Sequence, residues 1–193
     1  FLLRFSQDFS GLGGDGTYLK TEALAVAETK ILNEEVTLRA VFEGGAIATA
    51  GGYTSRVTDR YFGNSKIRGF EANGIGPRDR SDAVGGGAAN NDALGGNMFA
   101  VARFEADFPL GLPEEYGIKG GAFLDIGSVW GLDDTAGVGG AEVDDSLIWR
   151  SSVGFSIYWT TPVGPLRLNF SKALMKEDYD KERNFDLTVS TKF

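Results

Sequence analysis

The chain has 193 residues, 24% of them charged and 42% hydrophobic, which fits one folded domain or part of a larger one and excludes wholesale disorder. It contains no Cys and no His, so disulfides, thiolate metal sites, the usual zinc ligands and Ser-His or Cys-His catalysis are excluded together. A net charge of -8 and a pI near 4.6 argue against nucleic acid as a partner.

Gly is unusually common, 28 residues spread along the whole chain, as expected for many turns and kinked strands. No run approaches 18 uninterrupted apolar residues, so no transmembrane helix is expected. A membrane-spanning strand needs only about 9–11 residues and hides its apolar half by alternation. The opening FLLRFSQDF lacks the basic leader, apolar run and small-residue cleavage site of a signal peptide. It reads as a strand, either behind a removed signal or partway through a longer protein.

Alternation and turn residues predict eight strands, near 1–9, 17–31, 35–48, 97–109, 117–130, 148–160, 165–174 and 183–193. After the first comes GLGGDG, which matches the dinucleotide-binding fingerprint at Gly11, Gly13 and Gly16; TEALAVAETK after it could pass for a helix. With no βαβ repeat elsewhere, a glycine-rich hairpin loop is the better reading. The third strand sets Val36, Leu38, Ala40 and Phe42 against Glu35, Thr37, Arg39 and Glu43. The fourth sets Met98, Phe104 and Phe108 against Arg103, Glu105 and Asp107. Either pattern suits a soluble sheet with one wet face or a barrel with lipid outside and water inside.

Later strands discriminate better. Trp149, Val153, Phe155, Ile157 and Trp159 share one parity, and Trp130 shares parity with Leu124 and Ile126. Ten residues between Trp149 and Trp159 span roughly 33 Å of strand. Tilted about 45°, that becomes roughly 23 Å of height, near the ~25 Å apolar band between aromatic girdles. The alternative is a soluble sandwich with Trp149 and Trp159 in its core. Connections alternate between tight and long, the longest being 49–96 and 131–147, as in barrels with short turns on one rim and long loops on the other. The last strand carries Phe185, Leu187, Val189 and Phe193 on one parity, which would put Phe193 at a water–lipid boundary.

The segment 49–96 has no strong secondary-structure signal and is long enough to expect a functional role. It contains KIRGF and NGIGPRD. Arg68 beside Gly69 suggests a guanidinium delivered by a tight turn to an inward carboxylate, with Glu105, Asp107 and Asp125 as candidates.

IRGFEANGIGPRD, with GGNMFAVARFEADFP, AFLDIGSVW, TPVGPLRLNFSKAL and the aromatic C-terminus following in order, resembles the BamA family of barrel-assembly factors of bacterial outer membranes. TamA-like and two-partner secretion barrels share the RGF-type loop. The resemblance implies that Ile67, Arg68, Gly69 and Phe70 fold back into a lumen, where Arg68 meets Glu105 and Asp125. It further implies that Phe185, Leu187, Val189 and Phe193 form a C-terminal signal strand; Trp130, Trp149 and Trp159 are the aromatic girdle that the parity and spacing above already suggest.

The expected fold is an all-β transmembrane antiparallel barrel spanning residues 1–193, without POTRA repeats. An eight-stranded lumen cannot hold a folded loop of this length, so more strands are expected; the resemblance implies that these eight are half of a sixteen-stranded barrel. The implied function is insertion of unfolded barrel proteins into the outer membrane through a lateral seam, by strand augmentation. Implied partners are outer-membrane lipid, lipopolysaccharide and accessory lipoproteins; no catalytic residue, metal or cofactor is expected. The alternatives are a related translocation barrel or a passive porin-like barrel. An enzyme is disfavoured because no nucleophile has a base beside it.

Overall fold

A computed structural model describes residues 1–11, 13, 16–63, 66–80, 91–137, 142–162 and 164–189. The strands are β1 (Leu2–Ser10), β2 (Tyr18–Ile31), β3 (Val36–Thr49), β4 (Arg78–Asp79), β5 (Asp92–Ala93), β6 (Met98–Pro109), β7 (Ile118–Trp130), β8 (Arg150–Thr161), β9 (Gly164–Met175) and β10 (Phe185–Val189). Eight of them form one antiparallel sheet in the order β1-β2-β3-β6-β7-β8-β9-β10. Among the described residues β1 and β10 do not pair, so the wall is open.

Each predicted strand is present, with ends shifted by a few residues. TEALAVAETK lies inside β2, as the strand and hairpin reading expected: Thr21–Val26 pair with both β1 and β3, and Ala27–Lys30 with β3. Two details differ from expectation. Trp149 stands one residue before β8 rather than within it. The long connection has structure of its own: β4 and β5 form a small antiparallel pair, and Tyr61 bridges to Gly96. Of the last strand, Phe185–Val189 is described; Phe193 lies outside the described residues.

Period-two alternation sorts the wall into two faces. Phe104, Leu124 and Val153 lie in one cross-strand row, and Arg103, Asp125 and Ser152 in the next. The first face is apolar and uncovered: Phe42 is 50% exposed, Phe155 53%, Trp149 43% and Trp159 46%. These residues are not a soluble core. The buried apolar cluster instead lies on the other face, where Phe99, Val101, Val129 and Ala173 of the wall meet Tyr61, Ile67, Phe70 and Ile75 of the long connection. The loop therefore packs on the polar face of the wall.

That face is concave. Arg167 of β9 donates to Glu105 of β6, although two strands separate them in the sheet. On a flat sheet three strand spacings are about 14 Å, beyond the reach of the pair once their offset along the strands is added.

Candidate functional site

The turn around Arg68 is shaped by its neighbours. Ile67 and Phe70 are buried in the loop–wall cluster and act as anchors on either side. Gly69 has φ +89°, where a side chain is strained, and a Cβ there would lie 3.0 Å from the Ser152 Cβ. A left-handed residue is thus pressed against the wall, and Arg68 is aimed along it.

Arg68 and Asp125 meet through three hydrogen bonds. The Arg68 backbone N–H and Nε donate to Oδ2 at 2.9 and 2.8 Å, and Nη2 donates to Oδ1 at 2.5 Å. Nη1 donates to Glu105, and the Ser152 hydroxyl donates to the Arg68 carbonyl. The guanidinium lies over the Phe123 ring, 3.7 Å from its centroid, which adds cation–π attraction. The Asp125 side chain is fully buried and that of Arg68 nearly so. A two-pronged guanidinium–carboxylate contact is directional. With both charges shielded from water, removing either partner leaves an uncompensated charge, at a cost of about 3–5 kcal/mol.

Glu105 is the hub of a wider network. Besides Arg68 it accepts from Arg167 Nη2 at 2.6 Å and Arg39 Nη1 at 3.3 Å. Arg39 also donates to Glu28 at 3.0 Å. Glu43 takes Lys66 and, at 3.1 Å, Arg103. Charges from β2, β3, β6, β7 and β9 thus converge on the KIRGF turn. Asp107, the third carboxylate candidate, is not among the partners of Arg68 and lies beside Tyr158.

The structure brings Ile67, Arg68, Gly69, Phe70, Glu105 and Asp125 into one locus. Phe185, Leu187 and Val189 lie elsewhere, on the outer face, paired with Phe170, Leu168 and Leu166 of β9. Trp149 and Trp159 are also outer, and Trp130 is half-buried beside Met98. Sequence reading did not find Arg39, Arg167, Ser152 or Phe123. Arg167 carried a signal, since it takes the polar parity in PLRLNF, but its partner depends on the curvature of the wall.

Other described parts of the loop are fitted as closely. Ile75 is buried, Gly76 has φ +102°, and a Cβ on Gly74 would run into the Lys181 carbonyl. Arg78 is buried, with Nη1 donating to the Asn91 carbonyl at 2.9 Å and Nη2 to that of Asn73. Nearer the loop base, Asp133 accepts from the Ser55 backbone N–H at 2.7 Å, Asn97 Nδ2 at 2.8 Å and the Thr49 hydroxyl at 3.4 Å. Burial pushes the Asp133 carboxyl up, but these donors outweigh it and hold the group below its ordinary value.

The Omp85 superfamily domain matches residues 1–193. The outer membrane protein assembly factor BamA of Neorickettsia risticii (strain Illinois) is 33% identical, over 99% of this chain and 24% of that protein. BamA of Neisseria meningitidis serogroup B is 25% identical, over 78% of this chain and 21% of that protein. Among solved structures, BamA from Haemophilus ducreyi lacking POTRA domains 1–3 superposes with a TM-score of 0.81 at 21% identity, over 98% of this chain and 38% of that one. The chain spans about a quarter of the length of the curated relatives it matches. A match running from the first residue to the last, on an antiparallel wall with an apolar outer face, places the chain in the Omp85 superfamily of bacterial outer-membrane proteins.

Proposed function

We propose that this chain is the C-terminal part of an outer-membrane β-barrel domain, and that the longer protein folds and inserts barrel proteins into the bacterial outer membrane. The observation that carries this reading is the Arg68 lock: an inserted loop fixed to the wall by Asp125 and Glu105, in a chain 33% identical over nearly its whole length to an assembly factor. A folded loop on the concave face needs more room than eight strands enclose, which supports a wall of more than eight strands.

The proposed activity exchanges hydrogen bonds and makes no covalent ones. Backbone groups on a strand edge must be satisfied within hydrocarbon, so an unpaired edge attracts another strand. β10 would supply one side of a seam at which an unfolded barrel protein adds a strand by β-augmentation. The Arg68 lock would hold the wall's shape while that edge opens. Outer-membrane lipid and lipopolysaccharide would surround the apolar face, and accessory lipoproteins would act on the longer protein.

The test is reconstitution of the longer protein into phospholipid vesicles supplied with an unfolded porin. Folded porin, scored by heat-modifiable migration, should accumulate faster than with empty vesicles. Conductance without any gain in porin folding would identify a passive pore and reject the reading.

A further inference from the structure

The connection 176–184, between β9 and β10, supplies the carboxylate of a second buried ion pair. Arg150, the first residue of β8, points inward; its Nε and Nη2 donate to Asp180 Oδ2 and Oδ1 at 3.0 and 3.2 Å. The side chains are 1% and 0% exposed. Arg150 Nη1 donates to the Ile148 carbonyl at 2.8 Å, and the Glu177 backbone N–H completes Asp180 at 2.8 Å. Arg80 lies over Tyr179, 4.5 Å from its ring centroid.

The same connection is zipped to the long loop through its backbone. Glu71 N–H donates to the Lys181 carbonyl at 2.9 Å, Lys181 N–H to Gly74 at 3.0 Å and Arg183 N–H to Gly69 at 3.0 Å. β10 starts immediately afterwards, its leading end held by Ser171 N–H on the Asn184 carbonyl at 2.9 Å. The described remainder of β10 is held differently. Phe185, Leu187 and Val189 are exposed, and on the inner side Asp186 and Thr188 border a cavity of about 290 Å³. Asp186 contacts Arg183 at 3.6 Å and Thr188 at 3.2 Å, both within two or three residues of it.

We propose that Arg150 and Asp180 are positioning residues: they clasp the leading end of β10 to β8 and the loop, so that the seam edge presented by β10 is fixed at that end and can shift only at its far end. This rests on the insertion reading above and adds a mechanism to it. A one-residue slip in strand pairing turns every side chain to the wrong face. An edge pinned at one end offers an incoming strand one register; an edge loose at both ends offers several.

The test uses the full-length protein in vesicles, with amide hydrogen exchange and porin insertion measured on the same preparation. Asp180→Asn keeps the volume and removes the charge. Gly74→Ala pushes the Lys181 carbonyl away and leaves the ion pair in place. Each should speed exchange at Lys181 and Arg183 by about tenfold or more while the Arg68 amide stays protected, because local openings are separately stabilised. Arg150→Lys, which keeps charge but loses the two-pronged contact, should fall between. Each should also lower the saturating insertion rate with the half-saturating porin concentration unchanged.

Unchanged exchange at Lys181 and Arg183 in Asp180→Asn overturns the clasp, whatever Gly74→Ala does. If Asp180→Asn fails to fold, Arg150→Lys decides by the same reading. Faster exchange with wild-type insertion rates overturns the positioning role. A wild-type protein that inserts nothing rejects the insertion reading instead, and the exchange measurement still decides the clasp.

Discussion

The two faces of this wall are built from the same strands by opposite rules. On the outer face, Phe42, Phe104 and Phe155 stand exposed, and their contacts are short-range: Phe42 with Phe104 at 5.7 Å, Phe155 with Phe170 at 4.8 Å. On the inner face, one side chain gathers several partners, as Glu105 does from the neighbouring β3 (Arg39), the long loop (Arg68) and the more distant β9 (Arg167). The contrast follows from the two solvents. Hydrocarbon supplies nonspecific contact to any apolar side chain, so outer residues are interchangeable. A charge shielded from water depends on particular partners, so inner residues are not.

Substitutions can break that contrast. The largest effect is expected on the inner face: Arg68→Ala should cost about 3–5 kcal/mol in denaturant unfolding from vesicles, because Asp125 is left buried and unpaired. Phe42→Ala is the outer control, and an equal loss there would end the distinction. Next, placing a charge on the outer face, as in Phe155→Arg, should cost about 2–4 kcal/mol in hydrocarbon, and no loss would mean that this face is wet.

The smallest effect lies at the loop base. The Asp133 carboxyl is held below its ordinary value of 3.8. Folding therefore favours the ionised form: its contribution is complete above that value and fades as the pH falls through the lowered, folded one. Protease cutting within 50–60 should rise as the medium is acidified from about pH 5 to about pH 2, and Asp133→Asn should flatten that step. Cutting that is indifferent to pH in the unaltered protein would mean that the Asp133 hydrogen bonds do not hold the loop base.

Most of the wall was legible because its signal is local. Alternation around Trp149–Trp159 and in EVTLRAVF depends on residues two apart, which any strand must place on one face. The Arg68 partners were reached through the motif rather than through spacing, since Glu105 and Asp125 lie 37 and 57 residues away. Asp107 had the right parity and charge and was still the wrong candidate, because register sets which inward carboxylate faces the turn. Asp180 was hidden among Glu177, Asp178 and Glu182 in a connection with no period to sort them.

The amino-acid order by itself determined which residues face oil and which face water, because a strand's two-residue repeat turns local composition directly into faces. Only the tertiary structure decided which charges meet. Pairing across the wall depends on strand register, on curvature that brings β9 toward β6, and on the path of the loop. Each is set by the summed packing of the whole sheet rather than by any short run of sequence.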